Sequence, residues 1–130
     1  MSKTVIHTAD APAAIGPYSQ AIAAGGMLYI SGQIPLDPVS GELLDGDTAA
    51  QARLVLSNLE AILRAGGCSF ADVVRSTIFL VDLGDFGAVN AAYAEKFSAP
   101  FPARVTIQVA ALPRGSKVEI DAIARIPSKG

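Results

Sequence analysis

Between Asp47 and Gly67, Ala52, Val55, Leu56, Leu59, Ile62 and Leu63 recur at intervals of three and four, which lays one apolar stripe along a helix. The ends of this segment agree with that reading. Asp47 or Thr48 can cap its N-terminus, Glu60 and Arg64 can pair on its solvent face, and Gly66-Gly67 supplies a left-handed stop. Elsewhere Gly and Pro cut the chain into shorter pieces. The stretch Asp10 to Tyr18 is too rich in breakers for a helix. Ser19 to Ala24 and Met27 to Ser31 read as strands around the hairpin signal Gly25-Gly26, and the second runs into Ser31-Gly32-Gln33-Ile34-Pro35. Val73 to Val81 is β-branched and apolar, the pattern of a central strand. Asp85 is placed to cap a second helix with the stripe Phe86, Val89, Asn90, Tyr93 and Phe97, ending before Pro100. Arg104 to Leu112 and Lys117 to Ile126 supply two more strands, separated by Pro113-Arg114-Gly115-Ser116. With a strand near Val5, the expected order is βββαβαββ.

The length of 130 residues suits one domain spanning 1–130. Hydrophobic residues make up 51% and the mean hydropathy is +0.41, yet the longest run of low polarity, Ala21 to Ile30, is broken by Gly25-Gly26 and is too short to cross a bilayer. No membrane association is expected, and the surplus apolar surface points to an oligomer interface. Met1 to His7 has no apolar h-region and no small-residue cleavage site, and the single cysteine, Cys68, cannot form an intrachain disulfide; the expected location is the cytoplasm. A net charge of -2 and a pI near 5.2 give no general attraction to phosphate backbones, so no nucleic-acid partner is expected.

With one histidine, His7, one cysteine and no tryptophan, Ser-His-Asp triads, Cys-His pairs and His/Cys metal cages are nearly all excluded; neither metal nor cofactor is expected. His7 reads as structural or exposed, Cys68 as a small buried or turn residue, and neither glycine pair has phosphate-loop spacing. Attention falls on Arg104, at the head of an apolar strand. It reads either as a surface or interface arginine in an ion pair or as a carboxylate anchor, whose planar fork matches a carboxylate as lysine does not. Alternation places Arg104, Thr106 and Gln108 on one face of their strand, and Glu119 and Asp121 opposite Val118 and Ile120 on theirs. If these strands run antiparallel, Arg104 and Glu119 sit toward opposite ends of the sheet, and an interface between copies would be needed to join them. Glu119 is a solvated strand charge or a carboxyl that handles protons beside a bound anion. Tyr18 is a half-buried loop aromatic or a pocket wall. Asn90 is a buried amide or a ligand contact.

Together these residues resemble the reactive intermediate deaminase A (YjgF/YER057c/UK114) family. The likeness runs through Ala13-Ala14-Ile15-Gly16-Pro17-Tyr18, Ser31-Gly32-Gln33-Ile34-Pro35, Ala50-Gln51-Ala52, Asp82-Leu83 with Asp85-Phe86, Val89-Asn90-Ala91, Phe101-Pro102-Ala103-Arg104, and Val118-Glu119-Ile120 with Ala122-Ile123-Ala124. The resemblance implies an α+β, chorismate-mutase-like fold, a mixed sheet with two helices on one face, assembled as a homotrimer with ligand clefts between subunits. It implies a 2-iminobutanoate/2-iminopropanoate deaminase that hydrolyses imines, formed from enamines released by pyridoxal-phosphate dehydratases, to 2-oxo acids and ammonia. By matched position, Arg104 binds the substrate carboxylate, Glu119 positions water, and Tyr18, Ser31, Gly32 and Asn90 line the pocket. Thr106 stands where the family has a cysteine. The family role there belongs to backbone groups, so the change is expected to be tolerated and any thiol-dependent regulation lost.

Two rivals stand beside this expectation. An endoribonuclease or translation inhibitor is disfavoured by the acidic pI and the absence of stacking aromatics and acid-base histidines. A ligand sensor or chaperone-like holdase would use exposed apolar surface and should not need Arg104.

Overall fold

The computed structural model describes residues 2–128, and its elements follow the expected order. They are β1 (Thr4–Ile6), β2 (Ala21–Ala24), β3 (Met27–Gln33), α1 (Thr48–Ala65), β4 (Val73–Leu80), α2 (Phe86–Ala94), β5 (Ala103–Gln108) and β6 (Val118–Arg125). One six-stranded sheet runs β1-β2-β3-β6-β4-β5. All its pairs are antiparallel except β4 with β5, which α2 joins as a crossover helix and therefore leaves parallel. The hairpin between β2 and β3 turns through Gly25 (φ 59°) and Gly26 (φ 78°), the positive pair that a type I′ turn needs.

Both helices lie on one face. The α1 stripe, Ala52, Val55, Leu56, Leu59, Ile62 and Leu63, is at most 1% exposed, and it packs with Leu28, Ile30, Ile78, Leu80, Val118, Ile120, Ala122 and Ala124 of the sheet. Asp47 caps α1, accepting from the Ala50 N–H at 2.8 Å, and Glu60 pairs with Arg64 at 3.5 Å. The left-handed residue at the C-terminus is Gly67 (φ 80°). Gly66 is needed for space instead: a Cβ there would come within 2.5 Å of Leu28 Cδ2.

Several boundaries differ from the expected ones. β2 starts at Ala21; just before it Gln20 Nε2 donates to the Thr8, Ala11 and Pro12 carbonyls, and Ser31 Oγ donates to the Ser19 carbonyl at 2.6 Å. β3 continues to Gln33 through an irregularity between Ile30 and Gln33 where it pairs with β6. β5 stops at Gln108, well short of Leu112, because β4, its partner among the described residues, ends at Leu80; Val109 N–H makes the last bond, to the Leu80 carbonyl. Asp85 does precede α2 but makes no cap bond, its carboxylate accepting instead from Thr48 Oγ1 at 2.7 Å. In the second stripe Val89, Tyr93 and Phe97 are buried, with Phe97 beyond the helix end, whereas Phe86 is 41% exposed and Asn90 is exposed.

Candidate functional site

The parallel register sets Arg104 of β5 beside Ser76 of β4. Ser76 is buried under α2, so Arg104 leaves the sheet on the helix side. Its guanidinium carbon lies 4.9 Å from the Tyr93 ring centroid and 5.7 Å from that of Phe86. Among the described residues the ion pairs are Arg53–Glu95, Glu60–Arg64 and Asp72–Arg125, so the ion-pair reading of Arg104 finds no partner among them. Arg104 lines a cavity of about 320 Å³ with Asn90, Tyr93, Ala94, Phe101 and Pro102. Asn90 is exposed at this cavity, which overturns its reading as a buried amide. Two residues along the same face, Thr106 Oγ1 is buried with no hydrogen-bond partner.

Glu119 belongs to a second cavity, of about 450 Å³, walled by Tyr18, Ser31, Gly32, Ile34 and Pro113 among others. Its carboxylate rests on the bare Cα of Gly32, so close that a Cβ built there would overlap Glu119 Oε2 and lie 2.9 Å from Cδ. Burial first, and the Asp121 carboxylate second, push the Glu119 carboxyl above its ordinary value. Tyr18 is more open than expected, at 55% exposure.

Within one chain the two cavities share no lining residue. β5 and β6 run antiparallel to each other with β4 between them, Arg104 level with Ser76 and Glu119 level with Phe79. That is roughly 10 Å along β4 and roughly 10 Å across two strand spacings. Facing separates them further. Val118 and Ile120 point into the helix-side core, so Glu119 points away from the helices while Arg104 points toward them. Alternation, more than strand direction, divides the pair.

Tyr93, Phe86 and Ser76 were not singled out by the sequence reading. Tyr93 and Phe86 carried only the signal of a helical stripe, and Ser76 stood inside an apolar strand. Cys68 is buried and desolvation raises its thiol pKa, while His7 is exposed. Among the described residues no group of three or more His, Cys, Asp or Glu side chains is arranged to hold a metal ion, and no helix is long and apolar enough to cross a membrane.

The family described as Endoribonuclease L-PSP matches residues 8–126. The chain belongs to it, and so to the YjgF/RidA proteins. This YjgF/RidA chain is 59% identical over 126 residues to protein DfrA of Myxococcus xanthus, covering 95% of the chain and 96% of the relative. It is 52% identical over 122 residues to human 2-iminobutanoate/2-iminopropanoate deaminase, covering 94% and 89%. The crystal structure of Escherichia coli TdcF with bound serine superposes with a TM-score of 0.87 at 44% identity, covering 94% and 98%. The α+β fold expected from the family resemblance is thus the fold found, with both helices on one face of a mixed sheet.

Proposed function

We propose that this YjgF/RidA chain hydrolyses small 2-imino acids to 2-oxo acids and ammonia, in clefts completed between the subunits of a cytoplasmic homotrimer. The observation that carries the reading is the division of the site: a guanidinium with no acid partner among the described residues in one cavity, and a half-buried carboxyl in another. Each half lacks what the other has. A second copy bringing its Glu119 cavity against the Arg104 cavity makes a cleft with an anion clamp at one end and an acid-base group at the other.

In that cleft Arg104 takes the substrate carboxylate as a bidentate pair, and Tyr18, Ser31, Gly32 and Asn90 wall the remaining atoms. A water held by Glu119 and the Thr106 carbonyl attacks the imine carbon. β5 is an outer strand, so part of its backbone faces away from β4 and is open to such a bond. The water oxygen bonds to carbon while the imine nitrogen gains a proton, giving a carbinolamine. Glu119 then relays the hydroxyl proton to the amine, the C–N bond breaks, and ammonia leaves a 2-oxo acid. Imines hydrolyse in water unaided, so orientation and proton handling are all that the chain must add. Burial and the Asp121 carboxylate raise the Glu119 carboxyl above its ordinary value, which favours its role in proton transfer.

A coupled assay tests this: a dehydratase generates 2-aminoacrylate, and imine loss is followed with and without the protein. Acceleration is expected for the wild type and loss of it for Arg104→Ala, while light scattering still gives three times the chain mass of 13.3 kDa. Unchanged turnover in Arg104→Ala, or a monomer at micromolar concentration, would remove the reading. The family's name, Endoribonuclease L-PSP, favours a second one, endoribonuclease. RNA cleavage that follows the protein through purification and disappears in Arg104→Ala would support it.

A further inference from the structure

A clamp for an incoming carboxylate has to be held still by something that does not compete for it. An acid beside Arg104 would compete; the neighbours of Arg104 are instead aromatic faces, Tyr93 at 4.9 Å and Phe86 at 5.7 Å. A guanidinium attracted by ring faces is held without an acid occupying its N–H donors, which stay free for a carboxylate. The Tyr93 ring is itself fixed at two points. Its hydroxyl meets Ser76 Oγ at 2.6 Å in a buried bond, and Ser76 is the residue beside Arg104 on the neighbouring strand. Its other side stacks on Phe97 at 4.1 Å and 13°, and Phe97 meets Phe70 edge-on at 4.9 Å. Arg104 therefore tops a column of rings tied back to its own sheet.

We infer that Tyr93, locked by Ser76, and Phe86 are positioning residues that aim the Arg104 fork at the substrate carboxylate, and this rests on the function proposed above. Burial raises the Tyr93 phenol above its usual range, so the ring stays neutral and holds the cation by its face rather than as a phenolate. The Ser76 bond has a distinct task, since a free phenol ring can slide or tilt away from the guanidinium.

The test measures dissociation constants for 2-oxobutanoate and for its uncharged amide by NMR titration, beside KM and kcat in the coupled assay. Tyr93→Leu and Phe86→Leu are expected to lower the preference for the anion by about two- to thirtyfold. KM should rise by a similar factor with kcat little changed, because the carboxylate is bound alike in substrate and transition state. Tyr93→Phe keeps the ring but loses the Ser76 bond, so it should recover only part of the loss. Phe97→Leu, which loosens the column without touching Arg104, should lower the preference less than Tyr93→Leu does. Phe86 is 41% exposed, so Phe86→Leu remains a test if Tyr93→Leu fails to fold. Loss of anion preference in Arg104→Ala with full preference in Tyr93→Leu and Phe86→Leu overturns the positioning role alone. A loss in Phe97→Leu equal to that in Tyr93→Leu, with Phe86→Leu unaffected, also overturns it. A wild type that shows no anion preference overturns both this inference and the proposed function.

Discussion

Gly32→Ala should separate stability from turnover. Gly32 is not among the glycines with positive φ, so its backbone accepts alanine, and the obstacle is Glu119. An added methyl would overlap Oε2 and lie 2.9 Å from Cδ and 3.2 Å from Cγ, so the carboxylate must swing off the strand. A displaced terminal group on a flexible, half-buried side chain costs about 0.5–1.5 kcal/mol of rotamer strain. Loss of glycine's freedom in the unfolded chain offsets about 0.4–1 kcal/mol of this. The net change should stay within about 1 kcal/mol, a Tm shift of no more than about 4 °C for a chain of this size. Turnover should fall far more, because moving a catalytic group by about 1 Å costs on the order of a hundredfold. In a Glu119→Ala background the same substitution has nothing left to displace, so its further effect on rate should vanish. Calorimetry and the coupled imine assay on the four proteins of this cycle measure both quantities. Gly32→Ala turning over within twofold of wild type would refute the reasoning, as would an undiminished penalty in the Glu119→Ala background.

Three further outcomes are expected. The raised Glu119 carboxyl favours folding in its protonated form, so its contribution is present below the unfolded carboxyl's range and lost as pH rises through the folded value. Glu119→Gln should therefore gain on wild type in denaturant midpoint as pH rises above about 4, the ordinary carboxyl range, and a difference that does not change with pH would contradict it. Leu59→Ala, at a site 1% exposed on the buried stripe of α1, should cost about 2–5 kcal/mol in urea unfolding without changing the m-value; less than 1 kcal/mol would contradict the core assignment. Asp47→Ala should cost about 1 kcal/mol, because its carboxylate holds the Ala50 N–H; a stability equal to wild type would deny the cap.

Much of the fold was legible because single residues carried local signals. The spacing of Ala52 to Leu63, the cap at Asp47 and the hairpin glycines each depend on neighbours a few positions away. The end of β5 was not legible, since it depends on where β4 stops; apolar character through Leu112 gives no hint of a missing partner. Likewise Asp85 looked like a cap, but a partner 37 positions away, Thr48, takes its carboxylate. Arg104 and Glu119 could be singled out by charge in apolar strands. Their facing could not, because alternation tells which residues share a face without telling which face meets the helices. Tyr93 was visible only as a core aromatic. Its place under Arg104 comes from the β4–β5 register, which brings Ser76 alongside.

Because Arg104 and Glu119 leave opposite faces of one sheet, each chain in the proposed trimer lends its two functional groups to two different clefts. Damage to a chain is then shared between sites, and two different kinds of damage can be sorted apart. If Arg104→Ala and Glu119→Gln subunits are unfolded together and reassembled, every mixed ring has one junction where an intact arginine meets an intact glutamate. Two preparations that are inactive alone would thus yield activity on mixing, at about a third of the wild-type rate per mixed ring. Two inactive alleles expressed in one cell would do the same, so genetic complementation can report the geometry of the cleft without a structure of the assembly.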